Sequence, residues 1–227
     1  MRDVFIELKQ SLYKEITYTT LLRCAKSLGC EDEAWLTGCQ PTELFALSEF
    51  VLHRFSRLGK NLIQRRLASK SAPSPESDRG SVLLALREAR FSIFTAEDIR
   101  EGLGVVLCDV LRGEMAFVID EAMDGTIVPQ AIMCGRLLKL EDVTFCAGSM
   151  LPLSLDTLLL ALRSFDPEFD PARRILSCRE LDCLEEENLE GFTLSMQFLA
   201  NAGGLGKFEI ADMLDQIDEA ARLKKRN

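Results

Sequence analysis

The sequence predicts an α+β protein: N-terminal helices, a central antiparallel five-stranded β meander or small partly open barrel, and C-terminal helices. Three observations carry this. Apolar residues recur at three- and four-residue spacing before residue 62 and again after residue 154, the period of a helix with one buried stripe. Between residues 89 and 153 they alternate, or run in short blocks bounded by glycine, as strands do. The stretch SKSAPSPESDRGS at 69–81 has prolines, serines and no large apolar side chain, the composition of a connector. The expected organisation is a helical region at 1–70, a linker or mobile loop at 71–81, the β meander at 82–153 and a C-terminal helical region at 154–227.

Residues 3–28 place Val4, Leu8 and Leu12 on one stripe with Ile16 beyond. Thr17, Thr19 and Thr20 weaken the middle enough to split the segment in two, and Gly29 stops it. Residues 31–38 hold a helical turn around Trp35, a core or interface anchor. Pro41 opens the next helix at a position proline favours. Leu44, Leu47, Val51, Phe55, Leu58 and Leu62 then make a bundle-type stripe, with Gly59 marking a bend or a boundary between two helices. The other face is basic. No acid occurs between Glu49 and Glu76, where His53, Arg54, Arg57, Lys60, Arg65, Arg66 and Lys70 accumulate. Such a face suits phosphates or acidic partners. The same charges also suit a solvated helix end, or pairing with the chain's own acidic half.

Residues 82–87 form a turn or two of helix, or a lead-in to the sheet. Strands are expected at 91–95, 105–111, 115–119, 131–138 and 143–147. Arg112-Gly113 reads as a tight hairpin turn with glycine at positive φ, and Asp124-Gly125 as another turn. Short strands with short connections give an antiparallel meander able to bury one face.

Within this segment Gly104, then the run from Asp109 to Glu114, then Gly135-Arg136-Leu137-Leu138, then the run from Gly148 to Leu153 resemble a β segment of uncharacterised bacterial proteins. In some of those it lies near a cysteine-rich SEC-C zinc tail. The resemblance implies a fold arrangement and a bacterial type of origin. The SEC-C cysteine cluster does not occur in this chain, and no functional residue carries over.

Ser154 is placed to cap a helix with Leu155, Leu158, Leu159 and Leu162 on its buried stripe. The Phe-Asp-Pro repeats at 165–171 end and restart helices. Residues 173–200 read as one long helix or two, carrying the acids Glu180, Asp182, Glu185, Glu186, Glu187 and Glu190. After a glycine-rich break, a last helix is expected from 209 to about 225.

Composition narrows the functions. A hydrophobic share of 47% with 28% charged residues is that of a folded chain. A net charge of −9 and an aromatic share of 7% disfavour nucleic acid, since the field is repulsive and stacking surfaces are few. No stretch approaches the roughly 18 apolar residues that cross a bilayer. The N-terminus is not a signal peptide, so a cytoplasmic protein with reduced cysteines and no membrane contact is expected. The chain has one histidine and no CxxC pair. No metal, cofactor or nucleophile–base system is therefore expected.

The favoured reading is an acidic, non-catalytic protein-interaction or assembly module. Its partner is another protein or a second copy, met through Arg54, Arg57, Lys60, Arg65, Arg66 and Lys70. The alternative is a nucleic-acid-binding protein using the basic face of residues 54–70. A second is an enzyme with carboxylate chemistry on the β hairpin, where Asp109, Glu114, Asp120 and Glu121 lie.

Overall fold

A computed structural model describes residues 1–30, 33–119, 127–148, 150–165 and 189–201. Six helices come first: α1 Arg2–Tyr13, α2 Tyr18–Ser27, α3 Glu33–Gly38, α4 Pro41–His53, α5 Leu62–Leu67 and α6 Asp78–Glu88. Strands β1 Phe91–Arg100, β2 Gly104–Asp109, β3 Met115–Val118, β4 Ile132–Leu140, β5 Val143–Cys146 and β6 Leu151–Leu153 follow. Then come α7 Leu155–Phe165 and α8 Leu189–Asn201. The α+β class holds.

Local chemistry sets the helix boundaries. The Thr17 side chain accepts from Thr20 N–H and starts α2, so the threonine-rich middle does divide the first helical segment. Gly29 at φ +85 ends it. At α4, Glu43 reaches back to the Gln40 N–H at 2.8 Å, half of a capping box behind Pro41. Ser77 caps α6, whose first turn begins inside the segment read as a connector. A side chain at Gly80 would lie 1.9 Å from the Ser74 carbonyl oxygen, so only glycine lets that loop fold back on the helix. Ser154 caps α7, accepting from Thr157 N–H at 3.0 Å.

The sheet departs from a simple meander. Its order is β1-β2-β3-β5-β4-β6, and β1 also pairs with β4, so β1–β5 close into a mixed barrel. Closure rests on a parallel contact of β3 with β5 at one register pair, Val118 with Thr144. A sixth strand, β6, lies antiparallel on β4. It escaped the pattern because it has three residues with Pro152 at its centre. The β2–β3 connection is also wider than an Arg112-Gly113 turn. Val110 and Leu111 fold into the helix-facing core, and Val110 N–H donates to Ile93 O at 2.8 Å. Asp124-Gly125 and the expected helix at 209–225 lie outside the described residues.

Strand alternation sorts side chains between two environments. Phe94, Ala96, Val105, Leu107, Val118, Met133 and Cys146 fill the barrel. Phe91, Ile93, Cys134 and Leu138 face the helices. One helical cluster gathers α2, α3, α4, α7 and α8 against β1, β4 and β6; the other gathers α1, α5 and α6 against the end of β4. Fully burying a leucine contributes about 1.5–3 kcal/mol, and this layer holds Leu12, Leu47, Leu52, Leu83 and Leu86 at 0% exposure. Helix α4 is buried on most sides of its last turns, which puts Glu49 inside.

Candidate functional site

Three places concentrate polar chemistry. The first is a buried charge centre between the helices and the barrel. Glu49 accepts a hydrogen bond from Tyr13 Oη, and Lys9 Nζ lies 2.7 Å from Glu49 Oε1. Lys9 also donates to the Ala147 carbonyl and sits over the Phe5 and Tyr13 rings. One helical turn after Glu49, His53 Nε2 stands 3.7 Å from Glu49 Oε2. Beside them Arg136 projects from the helix-facing side of β4, donating to the Ala89 carbonyl at 2.8 Å and to Glu190 of α8. Glu190 accepts a second bond, from Arg54 Nε at 2.8 Å. A side chain at Gly148 would collide with Glu49 at 2.4 Å, so glycine there makes room for the carboxylate.

Space in this centre amounts to about 10 Å³, enough for no more than one water molecule. It is a lock between layers. Burial, followed by the Arg136, Lys9 and Arg54 charges, holds the His53 pKa well below the ordinary histidine range. Burial and the Glu49 carboxylate push the Tyr13 hydroxyl up, so it stays a donor.

A stability consequence follows for His53. The unfolded chain takes up its histidine proton near pH 6.5, whereas the folded chain resists it. Stability from this group is therefore full above that pH and falls by about 1.4 kcal/mol per pH unit below it. Urea unfolding at about pH 7 and pH 5.5 should show a loss of roughly 1.4 kcal/mol, and His53→Gln should remove most of that difference. An unchanged pH dependence in the variant would assign it elsewhere.

The second place contains the basic residues singled out in the sequence. They do not share one helical face, because α4 ends at His53 and α5 begins at Leu62. Arg54 turns inward to Glu190. Arg57 and Lys60 bridge each other through their backbones at 2.9 and 3.2 Å, around a tip formed by Leu58 and Gly59 at φ +55 and +74. Arg65 donates to the Lys60 carbonyl at 3.2 Å, and Arg66 binds Glu15 at 2.8 Å and Ser11 at 3.0 Å. Lys70 is exposed. Next to the tip lies a cavity of about 390 Å³ lined by Thr17, Thr19, Thr20, Arg23, Phe55, Ser56 and Arg57. Arg23 sits over the Phe55 ring at 5.9 Å. Sequence reading did not select Arg23; it is one of two exposed cations on α2, with Lys26, and nothing local distinguishes it.

The third place is the barrel mouth, a cavity of about 640 Å³. At its rim Asp109 is buried and tied down. Its Oδ1 accepts from Ser92 Oγ at 2.7 Å and from the Leu111 and Arg112 N–H groups at 2.9 and 3.0 Å. Arg112 Nη1 completes the set, 3.3 Å from Oδ2 and 3.1 Å from Ser92 Oγ. This carboxylate organises the loop between β2 and β3 as an Asx-type turn. Glu114 stands exposed at the same rim; Asp120 and Glu121 lie outside the described residues.

Among the described residues no group of three or more His, Cys, Asp or Glu side chains is arranged to hold a metal ion. Burial raises the Cys24 and Cys30 pKa values to about 11, so these thiols stay protonated and inert at pH 7. Among the same residues no helix is long and apolar enough to cross a membrane.

Fold and site together define an α+β protein whose helical layer is fastened by buried ion pairs to a small mixed barrel. The chain belongs to a family of unknown function, DUF7986, which matches residues 1–165. No curated protein and no solved structure matched the chain.

Proposed function

We propose that the chain is a protein-interaction or assembly module that engages an acidic partner through the basic turn at 57–60. Leu58 is the observation that carries this reading: it is 97% exposed and sits at φ +55. A left-handed conformation costs an ordinary L-residue about 1–2 kcal/mol, and the exposed side chain gains nothing internally in return. Arg57 and Lys60 flank it, and among the described residues no carboxylate lines the neighbouring cavity. An apolar anchor among cations suits an acidic protein surface with an apolar pocket. Arg65, which donates to the Lys60 carbonyl, and exposed Lys70 add positive charge to this surface, whereas Arg54 and Arg66 are engaged by Glu190 and Glu15.

The test uses the mismatch between stability and binding at one residue. Leu58→Gly is expected to raise stability by about 1 kcal/mol, because glycine adopts the left-handed region freely. It should at the same time weaken partner capture. With intact chain, Leu58→Gly and Arg57→Glu/Lys60→Glu as baits in extracts of the source organism, a protein retained only by the intact chain supports the proposal. Equal recovery by all three baits sinks it.

A second reading has its own observation. Phe55 with Arg23 over its ring, Arg57 and four hydroxyl side chains is a combination that also suits a single nucleic-acid strand. Small five-stranded barrels are a frequent scaffold for such ligands. Steeply salt-dependent binding of an oligonucleotide, abolished by Arg23→Glu with Arg57→Glu, would favour it; undetectable binding at low salt would remove it.

A further inference from the structure

We propose that the cavity beside the 57–60 turn binds a phosphorylated serine or threonine side chain of the partner, held by Arg23 and Arg57. This deepens the reading of that turn as a partner-binding surface and rests on it. The cavity, of about 390 Å³, is walled by the first turns of α2 and by the chain leaving α4. Arg23 comes from α2 and Arg57 from the turn, so two cations far apart in sequence line one opening. Both are placed before a ligand arrives. Arg23 sits over the Phe55 ring at 5.9 Å, within cation–π range, and Phe55 itself packs against the helical core. The Arg57 backbone is fixed by two hydrogen bonds with Lys60, at 2.9 and 3.2 Å. Fixing these groups beforehand lowers the ordering cost of binding. Thr19 and Ser56 line the same cavity and carry hydroxyl donors. The Thr17 and Thr20 hydroxyls are engaged with each other at 3.0 Å and shape the wall.

The donor set decides among anions. A carboxylate offers one charge and two oxygens, which a single guanidinium satisfies through a two-point contact. A phosphomonoester carries about −1.5 to −2 charges at pH 7 and three acceptor oxygens, a match for two guanidinium groups with hydroxyls beside them. A phosphodiester has one charge per group, and a strand of them meets the repulsive field of a chain at −9. Thr17, Thr19, Arg23, Ser56 and Arg57 are exposed, which makes the site shallow. Phosphoserine and phosphothreonine keep the phosphate close to the peptide backbone and reach such a site; phosphotyrosine holds it a ring's length away and suits a deeper one. Arginine clusters are a recurring way to read phosphorylated peptides. Arg57 also adjoins the exposed Leu58, so a peptide seated here meets an apolar anchor at the next residue.

A library of degenerate peptides with a fixed central phosphoserine is passed over the immobilised full chain. Retained sequences are synthesised with phosphoserine, serine or glutamate at that position and titrated by fluorescence anisotropy. The serine and glutamate forms should bind at least about tenfold more weakly. Arg23→Gln and Arg57→Gln should each weaken the phosphopeptide by about tenfold or more, with thermal midpoints close to that of the unaltered chain. Lys26→Gln removes the same charge from the last turn of α2 and should leave affinity within about twofold.

Retention of no phosphopeptide, equal affinity for the serine form, or equal losses in Lys26→Gln and the two arginine variants would each overturn the proposal. Inorganic phosphate that displaces the labelled peptide as well as an unlabelled copy does would assign the site to the free ion and overturn it too. So would a single-stranded oligonucleotide that binds more tightly than every selected phosphopeptide and depends on Arg23. Failure of the underlying reading looks different. Partner capture lost in Leu58→Gly but unaffected by phosphatase treatment of the extract would retain the turn and overturn this site. Phosphopeptides that depend on Arg23 and Arg57 yet are indifferent to Leu58→Gly would support the site and remove the anchor.

Discussion

Replacing Glu49 by alanine is expected to lower the unfolding free energy by about 3–5 kcal/mol, the cost of leaving a buried charge without its partner. The side chains of Lys9 and Glu49 are 9% and 7% exposed, so water cannot take over from the missing carboxylate. Among the described residues Lys9 would keep only the Ala147 carbonyl and two ring faces, and Tyr13 would lose its acceptor. The sign reverses for a concerted change. Glu49→Leu with Lys9→Met removes both charges and fills similar volume, and such replacements are often neutral or stabilising. Urea unfolding of the two single variants and the double variant closes the cycle. A double variant as unstable as Glu49→Ala would mean that packing around α4, and not the ion pair, sets the cost.

This pair also marks the limit of sequence reading. Helix boundaries were legible because their causes are local: Thr17 and Ser154 bond to groups three residues away, and Gly29 and Pro41 act through their own backbone. The positions of β1 to β5 were legible from alternation and short apolar blocks, whereas β6 was not. Closure of the barrel was not, because it rests on a contact between Val118 and Thr144, two residues no sequence period singles out. The stripe drawn through Phe55 and Leu58 assumed that the helix continued. Asn61 instead caps a new helix and donates to the His53 carbonyl at 2.9 Å, so the stretch between is a turn.

The polar centre was hidden for the same reason. Glu49 entered the sequence reading only as the edge of a basic run, because its partner Tyr13 lies 36 residues away. Glu190 was one member of an acidic cluster, and nothing nearby sets it apart. Its burial at 2% follows from Arg136, which strand alternation on β4 directs toward the helices. The basic residues were found by composition, yet composition cannot tell Arg54, which serves Glu190, from Arg57 at the exposed turn.

Glu190→Gln is expected to cost about 3–5 kcal/mol, and the loss should run through one of its two partners. Arg136 is 6% exposed, so neutralising Glu190 leaves it a buried cation with, among the described residues, the Ala89 carbonyl as its remaining partner. Arg54 is 33% exposed and can turn to water, which limits its pair to about 1 kcal/mol or less. Urea unfolding should accordingly rank Glu190→Gln and Arg136→Ala together as severe, and Arg54→Ala as mild. Helix α8 is held by this tie together with apolar anchors, Leu194 and Phe198 in the helical core with Phe198 against Trp35 at 5.0 Å between ring centroids. Those contacts give burial but little direction, whereas one carboxylate held by two guanidinium groups fixes register. Limited proteolysis under native conditions should therefore cut within α8 sooner in Glu190→Gln than in Arg54→Ala. Equal cleavage in the two variants would show that apolar packing alone holds the helix to the barrel.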